Sequence, residues 1–382
     1  MEKEENNYME LENSFYHELH KYSWDEEESS IFAKTQQDVK RALAKERIDI
    51  EDFKALISPA AEPYLDLMAI KANRLTKRRF GKTIQMYVPL YVSNYCTNYC
   101  VYCGFNCHNQ ILRKKLTPEQ VLEEIEVLKK WGFRHLLLVS GEAEKLTNAT
   151  YYEEIIRTVR PHFAQISLEV QPLDIEEYKR VGDAGVSAVY VYQETYNENT
   201  YPGFHPKGKK HNFRYRLETP DRCAIAGITK VGIGALLGLQ NWRTDSLFTA
   251  RHLLYLEKTY WQTRYSISLP RLRPHVGSFM PHDPINDHQM VQLIMAFRLL
   301  DPEVEISLST RESSLFRDMA MRIGVTTMSA ASSTEPGGYA THNEELEQFS
   351  INDGRSVEEV TAAIKSCGYQ PVWKDWDSWL QK

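Results

Sequence analysis

The stretch IQMYVPLYVSNYCTNYCVYCGFNCHN, residues 84–109, runs from an apolar, strand-like segment straight into four of the chain's six cysteines. A continuous apolar run of this length, IQMYVPLYVSN (84–94), suits a strand covered on both faces, as in a parallel sheet. The same kind of run recurs at 135–141, 166–172, 188–194, 230–239, 264–270, 304–310 and 325–331. Helical periodicity fills most of the gaps, for example TPEQVLEEIEVLKKWG and DHQMVQLIMAFRLL. The 195–215 stretch reads more as loop than helix. Eight strands alternating with helices predict an α/β fold, a TIM-type (β/α)8 barrel, with an open doubly wound sheet as the alternative. Residues 1–80 read as a helical N-terminal extension, 81–335 as the barrel, and 336–382 as a C-terminal segment packing on it.

Composition narrows the function classes. The chain has 382 residues, 42% of them apolar, and a formal net charge of −6. That charge argues against a dedicated nucleic-acid binder, so the basic stretches 71–82 and 205–216 read as solvated loops or helix faces. The acidic start has no leader pattern, and no apolar run approaches the roughly 20 residues of a membrane span. The expectation is a cytoplasmic protein with no membrane partner, in which clustered cysteines mean metal or redox chemistry rather than disulfides.

Barrel enzymes place their reactive groups at the C-terminal strand ends. In chain order those ends carry Cys96, Cys100 and Cys103; Gly141-Glu142; Gln171; Gln193-Glu194-Thr195; Gly238; Arg271 and Arg273; Thr310-Arg311-Glu312; and Ser329. Burying so many polar groups without partners would cost several kcal/mol each, so one polar mouth is expected. A structural scaffold needs no such mouth. The three leading cysteines, C-x3-C-x2-C, lack the second close pair usual for zinc, although Cys107 or His108 could complete four ligands. A four-cysteine iron–sulfur cluster including Cys107 is another possibility. Three thiolates and one open iron is the sharper reading, with Cys107 left as a free thiol.

C-x3-C-x2-C with Tyr102 before the last cysteine, on the loop after the first strand, resembles the radical S-adenosylmethionine (SAM) enzymes. The resemblance implies a 4Fe-4S cluster on Cys96, Cys100 and Cys103, with SAM chelating the fourth iron. It implies Tyr102 and Gln193 near the cofactor and Glu142 at the SAM ammonium. The stretch after Arg216 resembles the matching element of biotin synthase, which implies Arg216 at the SAM carboxylate. There Gly234 would let adenine and ribose approach the backbone, although tight strand packing explains the glycines equally well. The blocks VSGEAE, LEVQPL, VYQETY, KGKK, YRLETPDR, LPRLRP, LSTRES, PGGYA, LEQFS and VWKDWDSWL are similar to the tyrosine lyases of thiazole formation in thiamine biosynthesis. That family implies L-tyrosine as substrate, cleaved through a 5′-deoxyadenosyl radical to 2-iminoacetate and 4-cresol. It also implies a thiazole synthase complex and a low-potential electron donor such as flavodoxin as partners. Arg311 then becomes the expected anchor for the tyrosine carboxylate, beside Ser329, with Arg271 and Arg273 as runners-up; Glu194 would orient ribose or move a proton. Gln171 and Tyr192 are expected as supporting groups. The tail, with Cys367 alone, predicts no second cluster of the kind found in the hydrogenase-maturing relatives, and Tyr369–Leu380 reads as an aromatic lid or docking segment.

Overall fold

A computed structural model describes residues 10–274, 279–340 and 348–374. Its centre is a closed ring of eight parallel strands: β1 (Thr83–Ser93), β2 (His135–Ser140), β3 (Gln165–Glu169), β4 (Ala188–Tyr190), β5 (Lys230–Ile233), β6 (Arg264–Ser268), β7 (Glu305–Leu308) and β8 (Thr327–Ser329). Strand β1 closes the ring because it is long enough to pair on both sides. Gln85–Tyr87 align with β8, and Val88–Ser93 align with β2. An open sheet is therefore ruled out.

All eight strands start within three residues of the starts read from the apolar runs, but most end earlier. Past Tyr190, Ile233 and Ser268 the chain leaves the ladder and becomes the loops of the mouth. The crossover helices follow their sequence signals. Helix Pro118–Lys130 begins at a capping box formed by Thr117 and Gln120, and helix Asp287–Leu300 at one formed by Asn286 and Gln289. One apolar core runs through the barrel and its helices, including N-terminal residues such as Phe53 and Leu56. The barrel's lower end is polar but paired: Lys230 Nζ lies 2.9 Å from Glu305, and Gln85 donates to Gln165 at 3.0 Å. No helix among the described residues is long and apolar enough to cross a membrane.

The C-terminal segment departs from the expected lid. Gln370–Val372 forms a ninth strand, β9, parallel to Thr83–Gln85 at the start of β1, the end remote from the cysteine loop. Trp373 packs edge-on against Phe133, with ring centroids 5.3 Å apart. Free ladder positions at the foot of β1 favour pairing there; residues 375–380 of the expected lid lie outside the described residues.

Upstream of β9 the segment is clamped to the barrel by charge. Arg317 and Asp353, both with fully buried side chains, form an ion pair; Arg317 also donates to the Ser329 carbonyl, and Arg355 reaches Asp353 at 2.8 Å. Removing one partner of such a pair strands the other charge in the interior. Asp353→Ala should therefore lower the unfolding free energy by about 3–5 kcal/mol, read as a fall in the urea midpoint. A loss below about 1 kcal/mol would contradict this account of the clamp.

Candidate active site

Beyond Ser93 the chain swings across the top of the barrel, and a set of polar side chains shapes that swing. Asn94 donates to the Leu112 carbonyl at 2.8 Å and accepts from the Lys114 N–H at 2.7 Å. Arg113 donates to four carbonyls, those of Asn94, Phe105, Asn106 and Asn109, at 2.7–3.2 Å. Asn106 and Asn109 in turn bond the carbonyls of Cys100, Cys103 and Gly104. The loop is thus organised by amides around one guanidinium.

Cys100 is buried, whereas Cys96 and Cys103 are partly accessible. Burial, followed by the charge of Glu142, pushes the Cys96 thiol up to about 11, and burial raises Cys100 further against the pull of Lys210. The same two thiols are also raised by Cys103, so the three sulfurs sense one another. N–H groups oppose burial: those of Asn98 and Glu142 favour the Cys96 thiolate, and that of Phe105 the Cys103 thiolate. Among the described residues no three Cys, His, Asp or Glu side chains converge as a single metal ion requires. Three thiols from one loop, supplied with N–H donors and without a second close cysteine pair, suit an iron–sulfur cluster by donor type better than a tetrahedral zinc ion. Cys107 is exposed at the rim.

Strand β2 delivers Glu142 beside this loop. Gly141 is required there, since a Cβ would meet the Tyr95 carbonyl oxygen at 2.4 Å. Glu142 accepts from Asn98 at 2.7 Å and from Arg216 at 2.9 Å. Arg216 also donates to the Tyr192 carbonyl at 2.7 Å and lies 3.5 Å from Glu194. Glu194 takes a second cation, Lys210, at 2.6 Å. Two carboxylates and two cations therefore neutralise one another under cover. Burial would raise the Glu142 carboxyl, but Arg216 and Lys210 outweigh it and hold the group below its usual range. Burial likewise opposes the Arg216 charge, and Glu142 more than restores it. Glu194 sits at φ 71°, a left-handed conformation unfavourable to non-glycine residues.

These groups border a cavity of about 1440 Å³, open solvent at its mouth included. Tyr102 forms part of its wall and shares a 2.7 Å hydrogen bond with His205 Nε2. Because His205 Nδ1 faces the Tyr201 carbonyl at 3.1 Å, Nδ1 carries the proton and Nε2 accepts from the phenol. Deeper in lie Glu169, Ser268, Ser307, Ser329 and Tyr87. Burial lifts the Glu169 carboxyl to about 7, with Arg311 pulling the other way.

Arg311 lines the same cavity, its guanidinium 3.4 Å from the Phe349 ring centroid. Among the described residues no carboxylate lies within ion-pair distance of it. Glu312, its neighbour, is occupied by Arg271 at 3.0 Å and Arg273 at 3.2 Å. Arg271 is further tied to Asp287 at 2.7 Å and does not line the cavity.

Of the residues singled out from the sequence, Tyr102, Cys103, Glu142, Tyr192, Glu194, Arg216, Arg273, Thr310, Arg311, Glu312 and Ser329 border the cavity. Cys96 and Cys100 lie in the loop behind Cys103. Gln193 and Gly234 do not border it; their backbones bond to each other at 3.0 Å. A Cβ on Gly234 would meet the Ser268 carbonyl oxygen at 2.3 Å, so strand packing explains that glycine. Gln171 accepts from Tyr152 and donates to the Thr147 carbonyl, holding the loop after β2. The sequence reading missed Lys210, Glu169 and Gln348. In the sequence Lys210 reads as part of a solvated basic stretch. A lone acid in the otherwise uncharged β3 run was the available signal for Glu169.

Residues 90–248 match the radical SAM superfamily, and residues 268–370 match the Biotin and Thiamin Synthesis associated domain. Fold, cysteine loop and these matches define a radical SAM enzyme. The chain is 49% identical to the 2-iminoacetate synthases of Salmonella typhimurium and Escherichia coli, over 94% of its own length and 95% of theirs. It superposes on the FeFe-hydrogenase maturase HydG with a TM-score of 0.84 and 30% identity, covering 95% of this chain and 80% of that one. On methylornithine synthase, PylB, the TM-score is 0.69 at 20% identity, covering 88% and 97%. The chain belongs to the 2-iminoacetate synthase family of radical SAM lyases.

The raised Glu169 carboxyl has a thermodynamic consequence. Its folded value, about 7, lies above the ordinary 4.5, so folding takes up a proton between those values. Its contribution to stability is complete below about pH 4.5 and is lost as the pH rises through 7. Because the carboxyl faces a cavity open to water, the loss should be on the order of 2 kcal/mol. Glu169→Gln should gain that amount over the parent between about pH 5 and 8 in paired denaturation curves. Parallel stability–pH curves for the two proteins would refute the assignment.

Proposed function

We propose that this enzyme cleaves the Cα–Cβ bond of L-tyrosine within the barrel mouth, giving 2-iminoacetate and 4-cresol and supplying the thiazole unit of thiamine. The observation that carries the reading is Arg311, a guanidinium bordering the cavity without a carboxylate partner among the described residues. An amino acid entering a dry site needs a cation for its carboxylate, and a planar fork binds it with two hydrogen bonds. Phe349 holds the fork flat. The Ser329 hydroxyl is a further donor on the same cavity wall.

In this reading Cys96, Cys100 and Cys103 would hold a 4Fe-4S cluster beside the SAM site. The bound pair supplies the single electron and the radical that start the reaction. The chain's own residues do the positioning. Glu142 receives the SAM ammonium and Arg216 its carboxylate, each exchanging its present partner for one of like charge. Glu194, held by Lys210, is placed to orient the ribose or to move a proton. Tyr102 closes the wall beside them. Gln193 and Gly234 act through the backbone behind that wall. The N-terminal helices to residue 80 and the segment after 335 serve as supports for the 81–335 barrel. A thiazole synthase would consume the hydrolysable imine, and a reduced flavodoxin would supply electrons.

Anaerobic reconstitution with iron and sulfide, followed by SAM, a strong reductant and L-tyrosine, should yield both 5′-deoxyadenosine and 4-cresol. Deoxyadenosine without cresol would mean another substrate; neither product from a cluster-loaded sample would overturn the reading. Arg311→Met should raise KM for tyrosine roughly 30- to 150-fold, the loss of about 2–3 kcal/mol of charged hydrogen bonding. Tyrosine-independent SAM cleavage should persist in that variant. Iron and sulfide analysis tests the ligand set: Cys100→Ala should fail to hold the cluster, and Cys107→Ala should retain it.

A further inference from the structure

Gln348, from the C-terminal segment, reaches over the barrel mouth to the cysteine loop. Its backbone is fixed first: the Gln348 N–H donates to the Thr334 carbonyl at 3.2 Å, and its own carbonyl accepts from the Gly104 N–H at 3.2 Å. The Thr334 hydroxyl donates to the next carbonyl, that of Phe349, at 3.1 Å. The side chain then bridges two groups. Its Oε1 lies 2.8 Å from the Tyr91 hydroxyl, and its Nε2 lies 3.7 Å from Cys103 Sγ.

The direction of that bridge follows from donor chemistry. A cysteine sulfur bound to a cluster carries no proton and can only accept, so the amide N–H₂ faces Cys103 and the amide oxygen accepts from the Tyr91 hydroxyl. Of the three loop cysteines, Cys103 is the one that borders the cavity, and it already receives the Phe105 N–H. Hydrogen bonds to cluster sulfurs withdraw charge from them and favour the reduced cluster.

We infer that Gln348 is a positioning residue for the iron–sulfur cluster, donating a hydrogen bond to the Cys103 sulfur that raises the cluster's reduction potential. Tyr91 holds the amide in the donating orientation. The inference rests on the cysteine assignment proposed above. It also gives the C-terminal segment a purpose beyond packing, because Phe349, the next residue, carries the Arg311 guanidinium.

The test is potentiometry followed by electron paramagnetic resonance on the anaerobically reconstituted full chain, without tyrosine. Gln348→Leu keeps the volume and removes the donor. It should load iron and sulfide as the parent does, with a midpoint shifted to a more negative potential. Tyr91→Phe, which frees the amide to turn, should shift the midpoint the same way by a smaller amount, and it serves if the leucine variant does not load. Equal midpoints in cluster-loaded parent and variants would overturn the inference alone. A parent protein that takes up no cluster would overturn the cofactor reading and the inference with it.

Discussion

Strand β1 pairs with β8 through its first half and with β2 through its second, and that double engagement closes the barrel. Closure leaves no edge to slip and sets the register of every strand around the ring. It also brings eight strand ends to a single mouth, although the residues there are scattered from Cys96 to Ser329. The cysteine loop begins where β1 stops, so the element that completes the barrel also delivers the sulfurs to its top.

Concentrating charge in one mouth has an electrostatic cost, and the arrangement of Glu142, Arg216, Glu194 and Lys210 meets it. Each carboxylate touches a cation, which offsets the cost of burying the set. A zwitterionic amino acid can enter such a set by exchanging like for like, with little net change in charge. On the other side of the cavity the balance differs. Arg311 has an aromatic face beneath it and no carboxylate partner among the described residues, while Glu312 is saturated by Arg271 and Arg273. The contrast separates a self-compensated half of the site from a half whose cation has no carboxylate partner among the described residues.

Much of this was legible in the residue order. Continuous apolar runs located all eight strands, since strands buried on both faces leave no polar alternation to confuse the pattern. The spacing of Cys96, Cys100 and Cys103 is local and survives any folding of the rest. Long-range partnerships were not legible. Lys210 belongs to a basic stretch that reads as solvated, and only the return of its loop over Glu194 buries it. Gln193 looked as available as Glu194, but it does not border the cavity that Tyr192 and Glu194 line. The tail read as an aromatic lid because nothing in its composition announces that Gln370–Val372 pairs at the foot of β1.

By itself the sequence determined the eight-strand rhythm, the three-thiol loop and the set of polar strand ends, because each is a property of neighbours along the chain. Tertiary structure decided which of those polar groups face one cavity, which cation pairs with which acid, and that Gln348 meets Cys103 across 245 positions of sequence. The physical reason is range. Periodicity and spacing act over a few residues, whereas ion pairing, desolvation and hydrogen-bond direction depend on distances that exist only after the barrel closes.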